Sequence, residues 1–428
     1  MNGMHGIIFS YDKETGLREL IENRVHGSIP FGGDYRIIDF ILSSMVNAGV
    51  TDVGVIMHGK CQSLLDHLGS GKSWDLSRNF GGLTLLPAFA YNEQRRGDGQ
   101  FRGRVDALGS VMNYLKGIRQ DYVVLSDSDT VINAPLEDVL RRHIDTGADI
   151  TAVCTAVPGD GQDTYFRLDA RGRITDTAYG LHTPEGYRCL NIFVLRTELL
   201  IQLVTECLSH NRYSLRRDVL QGMRSRLHLQ SYVYDGYAAH ISTLQDYYDR
   251  SMELLDTAPR SALFCPDRPV YGKENDSPSS YIDPEGGCVN SLAADGCDIQ
   301  GSVKNCVLFR NVRIEKGASV ENCILFKDTV VKRGAILRGV ITDKYVTVSE
   351  NVTLMGHERY PIVIAQGATV RETGACHEAA VCAQRGLSLL QDRRPCRRGR
   401  QPPPRPGGGG CRDRRHPAPV RQDRPPVA

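Results

Sequence analysis

A repeat near the C-terminal end constrains this chain more than any other feature. Gly301-Ser-Val-Lys-Asn-Cys-Val-Leu-Phe309 recurs as Ala318-Ser-Val-Glu-Asn-Cys-Ile-Leu-Phe326, an offset of 17 residues, and Ala335-Ile-Leu-Arg-Gly-Val-Ile-Thr342 follows after another 17. The phrase Ile314-Glu-Lys-Gly-Ala318 returns as Val331-Lys-Arg-Gly-Ala335 and as Ile364-Ala-Gln-Gly-Ala368. Self-similarity at so short a period means a solenoid, in which each coil buries its apolar side by stacking on its neighbours. Counted by sixes, Val312, Ala318, Ile324, Val330, Ile336 and Val348 share one phase, with Thr342 the polar member. That is the hexapeptide pattern of a parallel β-helix, three short strands per coil with small or branched residues turned inward. A run of hairpins would explain alternation but not the long-range repeat. Leu308, Phe309, Leu325 and Phe326 are more apolar side chains than one solenoid core can hide, so they are expected on an exposed assembly surface.

The first two-thirds of the 428 residues read differently. Gly6–Ser10, Val53–Met57, Tyr122–Ser126, Ile150–Val157 and Leu190–Leu195 are short apolar runs, expected as buried strands. Between them, Leu108, Val111, Met112 and Leu115 keep helical spacing, as do Leu136, Val139, Leu140 and His143, with Gly147 placed as a stop. Strands alternating with helices predict an α/β, Rossmann-like domain with a mostly parallel sheet covered on both faces. Ligands bind outside the carboxyl ends of such strands, so chemistry is expected after Ser10, Met57 and Ser126. The expected organisation is an α/β domain over 1–260, a linker over 261–284, a β-helix over 285–370 and a disordered tail over 371–428.

Charge and cysteine usage narrow the function classes. Arg371–Ala428 holds 13 Arg, no Lys and 5 acidic residues, whereas the formal net charge of the whole chain is +2. The body is therefore mildly acidic and offers no electrostatic reason to bind nucleic acid. The tail reads either as a genuine Arg/Pro-rich arm or as the product of a GC-rich gene read out of frame. No apolar run is long enough for a membrane span, and Met1–Ser10 lacks the pattern of a secretory signal. Thirteen cysteines without CxxC pairs, several inside apolar runs (Cys154, Cys207, Cys323), read as buried thiols in a reducing cytoplasm.

Pro30-Phe-Gly-Gly-Asp-Tyr-Arg-Ile-Ile-Asp-Phe40 closely resembles the PFGGxYRIIDF segment of the glucose-1-phosphate adenylyltransferases, the ADP-glucose pyrophosphorylases. Ser63–His67 with Lys72–Leu76 resembles the next block of that family, Gly103-Arg-Val-Asp-Ala107 its GTADA loop, and Asp235–Tyr237 with Ile241 and Thr243 its GYW-D-IGT segment. Asn290-Ser-Leu292 and Gly296–Gly301 resemble the start of its β-helix. The similarity runs from about Gly3 to Val370 and implies a nucleotidyltransferase-like domain followed by a left-handed hexapeptide β-helix. It also implies the reaction of ATP with glucose 1-phosphate to ADP-glucose and pyrophosphate, in which Mg2+ neutralises charge beside a glycine-rich loop.

The same resemblance shows what is substituted. Where the family reads GGxGxRL, this chain reads Tyr11-Asp-Lys-Glu-Thr-Gly-Leu17, so the catalytic arginine falls on Gly16, and Tyr11, Asp12 and Glu14 replace glycines. Side chains there block backbone approach to phosphate, and Asp12 and Glu14 repel a triphosphate. The RAKP lysine falls on His26 and its proline on Gly27; the metal aspartates fall on Ser128 and His240; the SMG serine and glycine fall on Cys189 and Asn191. No counterpart of the VEKP lysine stands near Arg173–Asp176. Mg2+ is thus doubtful in this chain, and no residue is assigned to a metal. A shift of one residue would let Asp127 or Asp129 take the metal. Asp106, Asp127, Asp129 and Asp218 are the substrate-binding candidates. Arg24 and Arg36 match positions at an anionic effector site between the family's domains, although Arg36 could simply pair with Asp39.

The pattern resembles the GlgD-type subunit, a regulatory partner of the catalytic pyrophosphorylase with little activity alone. The implied setting is glycogen synthesis in the cytoplasm, in a hetero-oligomer, expected as a tetramer, with an anionic metabolite as effector. A competent nucleotidyltransferase with Asp127, Asp129 and Asp106 rebuilding the metal site is the alternative. A hexapeptide acyltransferase fits poorly, because His357 is the one histidine between Cys288 and Val370 and the Pro30–Phe40 string belongs to nothing of that kind.

Overall fold

A computed structural model describes residues 3–11, 16–87, 101–157, 163–179, 186–274, 276–357 and 359–371. Asp12, Lys13, Glu14 and the Arg/Pro-rich tail lie outside the described residues. No helix among the described residues is long and apolar enough to cross a membrane.

The apolar runs form the heart of a nine-stranded mixed sheet. Met4–Tyr11 lies between Asp52–His58 and Tyr122–Asp127, parallel to both, and Gly82–Pro87 extends this parallel block at one edge. The carboxyl ends of the three central strands therefore emerge side by side, with Phe9 opposite Asp127 and Ser10 opposite Met57. Tyr187–Arg196 runs antiparallel to Tyr122–Asp127 on the far side. Its ladder with Ile150–Thr155 slips between Cys189 and Ile192, where Asn191 has a φ of 58°. Asparagine is among the few non-glycine residues that tolerate that left-handed conformation, which accounts for an Asn where the family has glycine.

Helices cover both faces, with one core cluster around Ile7, Phe9 and Phe193 and another around Ile8, Ile38 and Val124. Leu136–Thr146 ends at Gly147, whose φ is 56°, as the stop signal predicts. The periodic stretch Leu108–Leu115 is not one helix: Arg104–Ser110 and Met112–Lys116 are separated at Val111.

The β-helix has three parallel sheets of six, five and five short strands. Its central rungs keep the 17-residue offset, Ser302 pairing Ser319, which pairs Ile336, which pairs Thr353, while early rungs such as Gly287 with Ser302 are shorter and late ones such as Val340 with Ile362 longer. Two stacked corners carry Asn290, Asn305 and Asn322, and Asn311 with Asp328, all at positive φ. Their side chains hydrogen-bond along the stack: the Asn305 amide donates to Asn322 at 3.2 Å and that of Asn311 to Asp328 at 3.0 Å.

A 17-residue coil is not divisible by six, and this corrects the counting by sixes. Val312, Ala318 and Val348 do lie in the solenoid core, but Val330 is half-buried and Ile336 is 41% exposed; Val303, Val320, Leu337 and Leu354 form a further inward column that the count by sixes passes over. The expected exposed apolar surface is also corrected. Leu308 and Leu325 belong to the solenoid core. Phe309 and Phe326 are buried outside it, with Val307, Ile324 and Ile341, against Leu20, Phe31, Phe40 and Tyr247 of the α/β domain. The partner for that face is the chain's own N-terminal domain.

Candidate nucleotide-facing site

Short connections bring five of the marked positions to the carboxyl edge of the sheet. Asp127 ends its strand, and Ser128 turns away by donating its backbone N–H and its hydroxyl to the Phe9 carbonyl, at 3.1 and 3.0 Å. Thr130–Ile132 then pairs antiparallel with Ala238–His240, so that His240 faces Thr130. The His240 Nδ1 lies 3.3 Å from the Thr130 hydroxyl and 3.7 Å from Asp129 Oδ1, while Thr130 donates to Asp129 at 3.1 Å. His26 is buried in the tight turn His26–Ser28. This turn sits hard against the strand ends: a Cβ on Gly27 would lie 2.7 Å from the Ser128 hydroxyl and 2.8 Å from that of Ser10. Glycine at 27 thus closes space that a bulkier residue would hold open.

Gly16 is fastened to the next segment. Its N–H donates to Ser242 at 3.0 Å, its carbonyl accepts from Leu244 at 3.2 Å, and a Cβ would press on Thr243 at 3.3 Å. A side chain at this position would press on Thr243, the capping residue of helix Leu244–Glu253.

The group that dominates the site was not singled out from the sequence. Arg104, in the GTADA-like loop, directs Nε to Asp127 Oδ1 at 2.8 Å and Nη2 to Oδ2, a bidentate pair with both side chains buried. Burial opposes its charge, but Asp127, and further off Tyr11 and Asp129, hold the guanidinium firmly protonated. The available signal was Arg104 itself, a cation where the family loop has threonine, with the required contact 23 residues away. Cys189, also near Arg104, is pushed up to about 11 by burial.

Mg2+ demands oxygen ligands in near-octahedral array. Both Asp127 oxygens accept from Arg104, Asp129 is engaged by Thr130, and the other family positions carry Ser128 and His240. Among the described residues no group of three or more His, Cys, Asp or Glu side chains could hold a metal ion. These residues do not fit the family's dication.

Asp106 and Asp218 lie in a separate cluster. Asp106 accepts from the Arg102 backbone at 3.1 Å, and Arg102 stacks on Tyr213 at 3.6 Å. Asp218 accepts from the Tyr213 and Ser214 N–H groups at 2.9 and 2.8 Å and from Arg217 at 2.9 Å. Both carboxylates terminate local turns.

Arg24 and Arg36 meet at the seam between the α/β domain and the β-helix. Arg24 is buried and donates to both oxygens of Asp343 at 2.7 Å, and its Nη1 has no hydrogen-bond partner among the described residues. The Arg36 guanidinium goes to the Ser63 carbonyl at 2.5 Å and to the Ser28 and Ser63 hydroxyls, rather than to Asp39. Asp39 instead accepts from the Arg36 backbone at 2.9 Å and bonds His67 at 2.7 Å. Burial, offset in part by Asp39 and reinforced by Arg24, lowers Arg36 to about 10. Lys344 completes a cationic cluster that sequence reading missed; burial and the two arginines lower it to about 8.

Residues 6–176 match the nucleotidyl transferase family, and residues 279–361 match the GlmU-like C-terminal hexapeptide family. The glycogen biosynthesis protein GlgD of Bacillus subtilis (strain 168) is 36% identical over 366 residues, 86% of this chain and 96% of that protein. The chain belongs to the GlgD family. The GlgD protein of Geobacillus stearothermophilus is also 36% identical, over 74% of this chain and 82% of its own length. The same organism's glucose-1-phosphate adenylyltransferase is 29% identical over 71% of this chain and 79% of its own length. This GlgD-family chain thus also resembles proteins named for the enzyme.

Proposed function

We propose that this chain serves glycogen biosynthesis in the cytoplasm as the regulatory subunit of a glucose-1-phosphate adenylyltransferase assembly, with little turnover of its own. One observation carries the reading: the carboxylate best placed to hold a metal, Asp127, is neutralised by the buried Arg104. The same pair argues against a resident Mg2+ on this carboxylate. The alternative, a rebuilt metal site on Asp127 and Asp129, is opposed by the same pair. The relatives named glucose-1-phosphate adenylyltransferase supply the partner by chemistry and fold. The assembly is a hetero-tetramer with a catalytic subunit, and Arg24 and Arg36, joined by Lys344, receive an anionic effector at the domain seam.

The test uses the chain purified free of host pyrophosphorylase, with ATP, glucose 1-phosphate and Mg2+. Alone it should form ADP-glucose very slowly, since each lost electrostatic contact costs about two to three orders of magnitude in rate. Co-assembled with a catalytic subunit, it should change that subunit's effector response. Turnover near 10 per second by the chain alone, about the median for enzymes, would overturn the reading.

A further inference from the structure

A carboxylate buried at a strand end needs a cation, because an uncompensated buried charge costs several kcal/mol. An exchangeable metal ion can supply it, and so can a covalently attached guanidinium. In this chain Arg104 approaches Asp127 with two N–H···O bonds from the first turn of helix Arg104–Ser110. Asp129 and Tyr11 also favour the charged form of the guanidinium. A guanidinium stays protonated, and its planar fork matches a carboxylate at both oxygens. A hydrated dication entering here would have to displace a bidentate partner and then sit beside a fixed positive charge.

We propose that the Arg104 side chain is the resident counter-cation of this cleft, closing it to divalent metal, and that removing its charge lets a divalent cation bind at Asp127. The proposal deepens the functional reading and rests on it only for the location of the cleft. It assigns to one residue outside the marked catalytic positions the exclusion of metal from the fold.

The experiment titrates Mn2+ into the purified full chain and follows the free-ion signal by electron paramagnetic resonance, with thermal melts in parallel. Wild type should leave the signal unchanged and melt at the same temperature in Mn2+ or in chelator. Arg104→Thr should take up one Mn2+ per chain, at least about tenfold more tightly than wild type, a difference of about 1.4 kcal/mol. Its melting temperature should drop in chelator and recover with Mn2+. Arg104→Thr/Asp127→Asn should lose both responses. Arg104→Gln, which keeps length and an amide donor, serves if the threonine variant does not fold. Wild type binding Mn2+ as tightly as the variants would overturn the proposal. So would folded variants that gain no Mn2+, or two variants that Mn2+ cannot restore to a folded state. None of these readouts involves turnover or a partner subunit: folded variants that gain no Mn2+ leave the regulatory reading standing, wild-type uptake of Mn2+ would remove the observation that carries it, and an active wild-type chain would refute that reading separately.

Discussion

Arg24 and Asp343, separated by 319 residues, form a buried bifurcated contact in which one guanidinium nitrogen lies 2.7 Å from both carboxylate oxygens. It ties the segment after the first strand to the fourth coil of the β-helix, at the edge of the apolar face shared by Phe31, Tyr247 and Phe326. Removing one partner strands a charge in that interface, a change that typically costs about 3–5 kcal/mol. Asp343→Ala should therefore lower unfolding free energy by that order in urea melts. Arg24→Met/Asp343→Leu, which removes both charges, should cost much less.

Phe326 is fully buried, with ring centroids 5.0 Å from Phe309 and 6.1 Å from Tyr247. Truncating such a side chain leaves a cavity worth about 3–5 kcal/mol. Phe326→Ala should lower the stability of the whole chain in calorimetry, as expected for an intramolecular seam. A variant of unchanged stability that merely fails to assemble would mean that the face belongs to a partner.

The cationic cluster makes a pH-dependent prediction. Lys344, held down at about 8 by burial and then by Arg36 and Arg24, carries its charge below that pH and loses it above. Binding of inorganic phosphate, measured by calorimetry, should weaken as pH rises from 7 to 9. Lys344→Met should bind more weakly at pH 7 and show a flatter profile. A wild-type affinity that does not change across pH 8 would remove Lys344 from the site.

His5 and His143 are both lowered to about 4, in each case chiefly by burial; Asp52 and Gln120 partly oppose this at His5, and Arg196 adds to it at His143. The folded chain keeps both imidazoles neutral down to about pH 4, whereas the unfolded chain protonates them near 6.5. The unfolded state thus binds more protons in this window, and stability falls as pH drops from 6.5 towards 4, by up to about 3 kcal/mol per histidine. Thermal melts across that range should show the slope, and replacing both by Gln should flatten it.

Much of this fold is written in local patterns. The strands around Gly6–Ser10, Val53–Met57 and Tyr122–Ser126 stand where continuous apolar runs were found, because a strand buried on both faces has no polar alternation to disguise it. The split at Val111 was not legible, since helical spacing persists across it. Motif register leads to the expectation that Gly16, His26, Ser128 and His240 are substituted positions, but nothing local says what surrounds them.

What the sequence determined by itself is periodic or motif-borne: the 17-residue coil, the alternation of strand and helix, and the altered string from Tyr11 to Gly16. A repeat dictates its own stacking partner, because each coil's apolar side fits the next copy of itself. What only the tertiary structure decided depends on contacts between distant segments. Phe309 and Phe326 face the α/β domain because side chains alternate along the chain and their neighbours Leu308 and Leu325 already fill the solenoid interior. Arg104 meets Asp127 because a loop and a strand end converge at one sheet edge, where a buried carboxylate must find a cation. Neither pairing has a period or a motif, so each came from packing alone.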